Sequence, residues 1–436
     1  MKSYSVISAI VMLVLFMTAC KKDESTTQEL QPKYKIVVLS DIHYMDPSLL
    51  VKNGTAFQTY LFQDPKLLAE SDTILKAAIA QVISIHPDLV MISGDLTKDG
   101  ERVSHNSVIA LLKQLTDKGI KVVVTIGNHD VANPYAMKFD GDNAYPVESI
   151  TAGEVPTLYS AYGYNSATFT DPNSLSYVCE PLPGLVILAI DANEYYLNGD
   201  STCVTGGKIK PETMTWALTM IAQAKADKKI IFGMMHHGIL EHYSGQQQID
   251  PGYVVDDWQT QSQQFLQAGL RVMFTGHYHA SDIVLSGSGK DYLLDVETGS
   301  LVTAPCAFRT VVLYDDWSTV GISTNPLTGV TIMGTVLFEI YKTAFLQIHL
   351  DALFSYMLAS PPYNLDSETA AFGSRRLRNG MMAHYAGDEN LVTPESDSVQ
   401  LFITMVPQVG PVIQSWWTDL NPQDKSLSFD LVNGIK

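Results

Sequence analysis

The chain has 436 residues, 46% of them hydrophobic and 17% charged, which excludes a disordered polymer and suggests two or three globular domains. Its formal net charge of −18 argues against a nucleic-acid polymer or an anionic lipid surface as partner. The same charge leaves a small anionic substrate open, because a metal in a cleft reverses the local field.

The first element reads as a targeting segment. Lys2 supplies a positive start, and residues 6–19 (VISAIVMLVLFMTA) form an apolar run that is short beside the ~20 residues a spanning helix needs. The small residues before Cys20 in MTAC resemble the cleavage box of bacterial lipoproteins, with Met17 where that pattern prefers Leu. The resemblance implies a lipoprotein signal over residues 1–20, lipidation of Cys20, and export to the periplasmic or cell-surface face of the bacterial envelope. An ordinary signal peptide with an incidental cysteine is the alternative. Residues 21–33 read as a polar, flexible tether. With Cys20 lipidated, Cys179, Cys203 and Cys306 leave room for at most one disulfide. Cys179–Cys203 and three free thiols are both open.

From Tyr34 onward, short apolar runs alternate with amphipathic stretches. Strands are expected over 34–40, 88–93 and 121–126, and helices over 71–86, with Ser71 as N-cap and Pro87 as stop, and over 100–119. This βαβαβ order predicts a largely parallel sheet with helices packed on it. Further strands are expected at 184–190, 229–235 and 271–275, and helices at 210–227 and 256–268. The strand-rich segments 291–297 and 309–315 follow. Together they predict an α/β domain over 34–325 in which two sheets face each other with helices outside. The PLTG break at 326–329 opens a mainly helical stretch, 337–360 and 367–387, read as a smaller auxiliary domain over 326–436.

In an open α/β sheet, ligands sit outside the carboxyl ends of the strands. Here five successive strand ends carry Asp41-Ile42-His43, Gly94-Asp95, Gly127-Asn128-His129-Asp130, His236-His237 and Gly276-His277-Tyr278-His279, and these segments hold six of the chain's 11 histidines. Imidazole, carboxylate and amide oxygen suit borderline divalent metals such as Mn, Fe or Zn. Asp41, His43, Asp95, Asn128, His236, His277 and His279 are too many donors for one tetrahedral ion. Two ions sharing a carboxylate use them all, and such a pair clamps the attacking and leaving oxygens of an in-line displacement. Four positive charges less Asp41, Asp95 and a bridging hydroxide leave a residual positive charge that favours a phosphate anion.

The order DxH, GD, GNHD, H, GHxH resembles the calcineurin-like metallophosphoesterase superfamily over roughly residues 34–315. Residues 92–105 and 133–142 resemble exported bacterial members with a helical C-terminal domain, among them cyclic-nucleotide phosphodiesterases. The resemblance implies a two-sheet sandwich flanked by helices. It implies one metal on Asp41, His43, Asp95 and His279 and a second on Asp95, Asn128, His236 and His277, with a bridging hydroxide attacking phosphorus. His129 is then expected to stabilise the transition-state oxyanion or protonate the leaving oxygen, with Asp130 holding its ring.

Other residues carry less. His237 is a candidate substrate contact, or the ligand in place of His236. His105 is a second candidate contact, with a surface histidine as the plainer reading. His242 reads as a loop residue, Arg375, Arg376 and Arg378 as a solvated or salt-bridged helix face, and Trp416-Trp417 as packing of the helical domain. The expected activity is phosphodiester hydrolysis, with a cyclic nucleotide or similar small diester as substrate. A phosphomonoesterase, such as a nucleotidase or a protein phosphatase, is the alternative within enzymes, because fold and metals do not separate the two. A catalytically inactive surface-binding lipoprotein is the alternative outside them.

Overall fold

The computed structural model describes residues 30–332 and 336–435. The expected signal segment, Cys20 and residues 21–29 of the tether lie outside them. In the strand Pro32–Leu39, successive side chains point to opposite faces, as a period of two requires. Ile36 and Val38 enter one apolar core, Val37 and Leu39 another. Both faces are buried because this strand sits inside a layered stack.

The first sheet has six strands, in the order Ser426–Asp430, Thr319–Pro326, Ala307–Tyr314, Pro32–Leu39, Leu89–Ser93 and Lys121–Thr125. Its last three run parallel, with Ile36 beside Leu89 and Leu89 beside Lys121. The second sheet has seven, in the order Ile283–Ser288, Asp291–Glu297, Val272–Thr275, Ile230–Met235, Leu185–Ile190, Tyr177–Leu182 and Ala167–Thr170. The two sheets pack face to face through Ile36, Val38, Leu89 and Met91 from one and Ile187, Phe232, Met234 and Phe274 from the other. Helices Ser71–Ile85 and Arg102–Thr116 cover the outer face of the first sheet, with Ile74, Ala78 and Val82, then Val108, Leu112 and Leu115, at helical spacing. Helices Pro211–Ala226 and Trp258–Ala268 cover the second. The fold is therefore the expected sandwich of two sheets between helices.

Two details differ from expectation, and the cysteines decide between two open alternatives. Ser71 is the first helical residue rather than the N-cap; its hydroxyl donates to Leu68 O and accepts from Met45 N. Cys179, Cys203 and Cys306 are all free thiols, so of the two alternatives left open the Cys179–Cys203 bridge is the one that does not form. The chain from 326 to its end is not a purely helical unit. Helices Phe338–Ala359, Ser367–Tyr385, Glu395–Met405 and Gly410–Ser415 form the expected bundle. The strand Ser426–Asp430 then returns to pair with Thr319–Pro326, Phe429 beside Val320. Leu427 and Phe429 alternate into the inter-sheet core, which draws the strand home. The bundle is thus an insertion between two neighbouring strands. Its core is continuous with Tyr243, Tyr278 and Ala280 of the two-sheet body. Among the described residues, no helix is long and apolar enough to cross a membrane.

Candidate functional site

Five strand ends meet along one edge of the sandwich, and the backbone there is unusual. Asp41, His43, Asp95, His277 and His279 all have positive φ, at 49°, 39°, 47°, 79° and 69°. Left-handed backbone at non-glycine residues costs on the order of 1–3 kcal/mol each and persists only where its surroundings enforce it. Here Asp41 N donates to Gly94 O at 3.2 Å and His43 N to Asp95 O at 2.9 Å, so the first two loops lock each other in the reversed geometry. The turn swings each side chain back toward a common point. Two glycines make the approach possible. A Cβ on Gly127 would lie 2.0 Å from Asp95 Oδ1, and one on Gly276 would lie 1.9 Å from Ser40 Oγ.

The donors converge in two overlapping sets. His43 Nε2 and His279 Nε2 face each other at 3.2 Å, and lie 3.7 and 3.4 Å from Asp41 Oδ1. Asp95 Oδ2 lies 3.4 Å from His43 Nε2 and 3.3 Å from His236 Nε2, which is itself 3.1 Å from Asn128 Oδ1. Ligand atoms of His236, His277 and Asp95 all lie within 4.8 Å of one another. Donors bound ~2.1 Å from one tetrahedral ion stand ~3.4 Å apart, so these separations fit ligand polyhedra that share Asp95. Asp41 Oδ1 is buried with no hydrogen-bond partner, while Oδ2 accepts from Ser40 Oγ and His277 N. An orphaned carboxylate oxygen aimed at two imidazole nitrogens is what a cation site requires.

The remaining ring nitrogens are mostly engaged elsewhere, which fixes the orientation of the rings. His236 Nδ1 bonds Ser93 O at 2.9 Å, His279 Nδ1 bonds Thr303 Oγ1 at 2.9 Å, and His277 Nε2 bonds Gly252 O at 3.1 Å. Burial lowers the basicity of His43 to about 3, keeping a lone pair available. Burial also opposes charge on His236, but the Asp95 carboxylate outweighs it and raises this imidazole to about 9.

His129 stands at the rim, its side chain 23% exposed, with Nε2 4.0 Å from Asp95 Oδ2. Its ring is not held by Asp130, as the sequence led us to expect. Asp130 accepts from the backbone N–H groups of Gly127, Leu96 and Thr97 at 2.8, 3.1 and 2.9 Å, clamping the GD loop to the GNHD loop. Asp99 takes the expected role, with Oδ1 2.7 Å from His129 Nδ1. Asp99 is in turn paired with buried Lys98 and bonded by Tyr60 Oη and Asn133 Nδ2. Burial and the Lys66 ammonium lower the basicity of His129; Asp95 and Asp99 overcome both and leave it raised. Asp99 carries little signal of its own, because Lys98-Asp99-Gly100 has the composition of an ordinary turn. Lys66, also missed, follows Pro65 in a loop and lines the cavity beside the site.

The other residues fall only partly as expected. His105 is fully buried behind the GNHD loop, with Nδ1 2.7 Å from Tyr159 Oη and Nε2 2.8 Å from Asp130 O, so it is neither a substrate contact nor a surface residue. His237 points away to Thr205 O at 2.9 Å and does not line the cavity; His236, not His237, joins the donor set. His242 lies in a loop, as expected. It is buried, with Nδ1 2.7 Å from Asp282 Oδ1 and Nε2 3.3 Å from Asp295 Oδ2 and 3.7 Å from Glu297 Oε2. The same cluster reaches into the bundle, where His384 Nδ1 lies 2.8 Å from Glu389 Oε1 and 3.5 Å from Asp282 Oδ2. Arg378 pairs with Asp351 and Arg376 stacks on Phe372, so these arginines serve the bundle itself. Trp416 and Trp417 pack its core.

A cavity of about 560 Å³ opens beside the donors and runs between the two-sheet body and the helical insertion. A site with paired donor sets, an imidazole at its rim and an ammonium nearby can bind an anion, polarise it and move a proton.

Residues 34–281 match a family model described as calcineurin-like phosphoesterase. No curated protein matches the chain. Among solved structures, the chain is similar to a dimetal phosphatase from Danio rerio, at 15% identity, covering 68% of this chain and 98% of that one with a TM-score of 0.47. It is also similar to a purple acid phosphatase from yellow lupin (Lupinus luteus) seeds, at 12% identity, covering 69% of this chain and 52% of that one with a TM-score of 0.38.

Proposed function

This chain belongs to the calcineurin-like phosphoesterase family, and on that premise we propose that it is a phosphodiesterase acting on a small phosphodiester, the class the sequence resemblance points to through cyclic nucleotides. Family membership implies phosphate-ester hydrolysis and the donor clusters point to a dinuclear divalent site. The observation that carries the reading is the convergence of five loops on Asp95 with His129 at the cavity rim.

Asp41, His43, Asp95 and His279 would hold one cation, and Asp95, Asn128, His236 and His277 the other. Bound there, such a pair supplies Lewis acidity to a phosphoryl oxygen and lowers the pKa of an attacking water. The protein's own groups do the rest. The Lys66 ammonium binds a non-bridging phosphate oxygen. His129 Nε2 faces the cavity and gives its proton to the departing alcohol oxygen, and Asp99 stabilises the imidazolium before transfer and fixes the ring. In the balanced reaction, the oxygen of one water bonds phosphorus, one P–O bond breaks, and the alcohol leaves protonated.

The test is a panel of bis-substituted and mono-substituted aryl phosphates with added manganese, on protein lacking residues 1–20. Cleavage of the diester supports the reading; cleavage of the monoester alone replaces it with a phosphomonoesterase. Metal-free protein from chelator-free purification, inactive on both, would favour the binding-lipoprotein alternative. Export and anchoring through a lipid on Cys20 complete the proposal and rest on the sequence of residues 1–20. Mass spectrometry of the envelope fraction checks them, a diacyl mass on Cys20 being the expected result.

A further inference from the structure

The cavity has two chemically distinct walls. Every charged lining residue, including Asp64, Lys66, Asp95, His129 and Asp250, comes from the two-sheet body. The opposite wall comes from the helical insertion and carries no charged residue. Leu346, Leu350, Leu353, Phe354 and Met357 recur at three- and four-residue spacing, so one face of the Phe338–Ala359 helix is turned to the cavity, with Met381 of the neighbouring helix beside it. Such a stripe ordinarily closes into a core. Here part of it borders open space of the size that ligand pockets have. Methionines on that wall let it adapt to a flexible apolar guest. Tyr363, Tyr385 and Trp416 add aromatic faces to that wall, so a nucleobase is the competing occupant and the test below includes one.

We propose that the substrate is a phosphodiester one of whose alcohols carries an alkyl or acyl chain, with the phosphate at the Lys66 and His129 end and the chain along the helical wall. The inference rests on the phosphodiesterase reading above and narrows it, leaving cyclic nucleotides as poor substrates. The bond changes are those already given: water adds to phosphorus, one P–O bond breaks, and one alcohol leaves with a proton.

The test is kcat/KM for a series of p-nitrophenyl alkyl phosphodiesters (methyl, butyl, octyl), each below its aggregation concentration, with 3′,5′-cyclic AMP as comparator. Burial of one methylene is worth roughly fourfold, so even partial burial predicts a rise of at least about fiftyfold from methyl to octyl, with cyclic AMP below octyl. Leu353→Asn, at a half-buried position, is expected to flatten the dependence on chain length. Calorimetry gives a readout free of turnover: octylphosphonate should bind more tightly than methylphosphonate, with a negative heat-capacity change. Methyl and octyl diesters within about threefold of each other, or cyclic AMP ahead of octyl, overturn the inference while the phosphodiesterase reading stands. Failure to cleave any diester overturns that reading, and the inference with it.

Discussion

Two clusters of histidine and carboxylate lie within this chain, and they are built to opposite ends. At the strand ends, His43, His279 and Asp41 turn donor atoms toward one another and leave Asp41 Oδ1 without a partner, and His279 with Asp95, His129 and His277 lines a cavity. Between the two-sheet body and the bundle, His242 is ringed by Asp282, Asp295 and Glu297, and none of these lines the cavity. Burial opposes charge on His242, but carboxylates on three sides hold it well above its usual range. The first cluster aims donor atoms at a common point beside a cavity; the second surrounds one imidazole with carboxylates and, through His384 and Asp282, joins the insertion to the body. Composition does not tell them apart, and the direction of each donor does.

The sharpest way to break this comparison is Asp95→Ala, which removes the carboxylate shared by both donor sets. Activity should fall by ~10⁴-fold or more, and metal content with it. Retained metal would show that Asp95 is not the bridge.

His242→Ala should do the reverse. It leaves buried carboxylates uncompensated, which costs about 3–5 kcal/mol of stability. Calorimetry should show a lower melting temperature, with turnover per folded molecule unchanged. A collapse of activity in protein that remains folded would merge the two clusters into one machine.

Within the first cluster, His129→Ala should lower kcat by roughly 10²–10³-fold with metal content intact. Asp99→Asn should lower kcat by about 10–100-fold with little change in KM, because Asp99 acts through the ring of His129. Equal losses in kcat and metal would contradict both roles.

The smallest effect lies in the second cluster and concerns pH. Burial, with Asp282 nearby, raises Glu389 to about 8, and the same causes with Glu389 raise Asp424 to about 9. Between the ordinary carboxylate range and those values the folded chain holds protons that the unfolded chain has lost. Stability therefore falls as pH rises through that window. The elevated His242 acts in the same direction, since its contribution is present at low pH and lost as pH rises. Buried His384, lowered to about 4, works the opposite way up to the ordinary histidine range, so the melting temperature should drop between about pH 7 and about pH 9, and Glu389→Gln should reduce the drop. A melting temperature that rises with pH would refute the assignment.

Much of the first cluster was legible in the sequence because each member follows an apolar strand, usually beside a glycine, and strand ends are where open α/β sheets bind ligands. Asp99 was hidden in turn-like composition, and Asp130 stood next to His129 in sequence but reaches backbone rather than the ring. In the second cluster, His384 and Glu389 stand close together in HYAGDE and read as an interdomain contact, but residues 242, 282, 295 and 297 share no motif with them, so only the packed chain brings the whole set together. The βα order of the body could be read from apolar periodicity. The return of Ser426–Asp430 could not, because five residues after a helical stretch carry too weak an alternating signal to reveal which sheet they join.

If five loops hold a pair of divalent cations through Asp95, the metal content must follow that one carboxylate. Elemental analysis of protein purified without chelator, beside Asp95→Ala, tests it most directly. The expected result is about two divalent ions per chain in the parent and a loss of both in the variant. A single ion in the parent, or a parent content unaltered by Asp95→Ala, would contradict it.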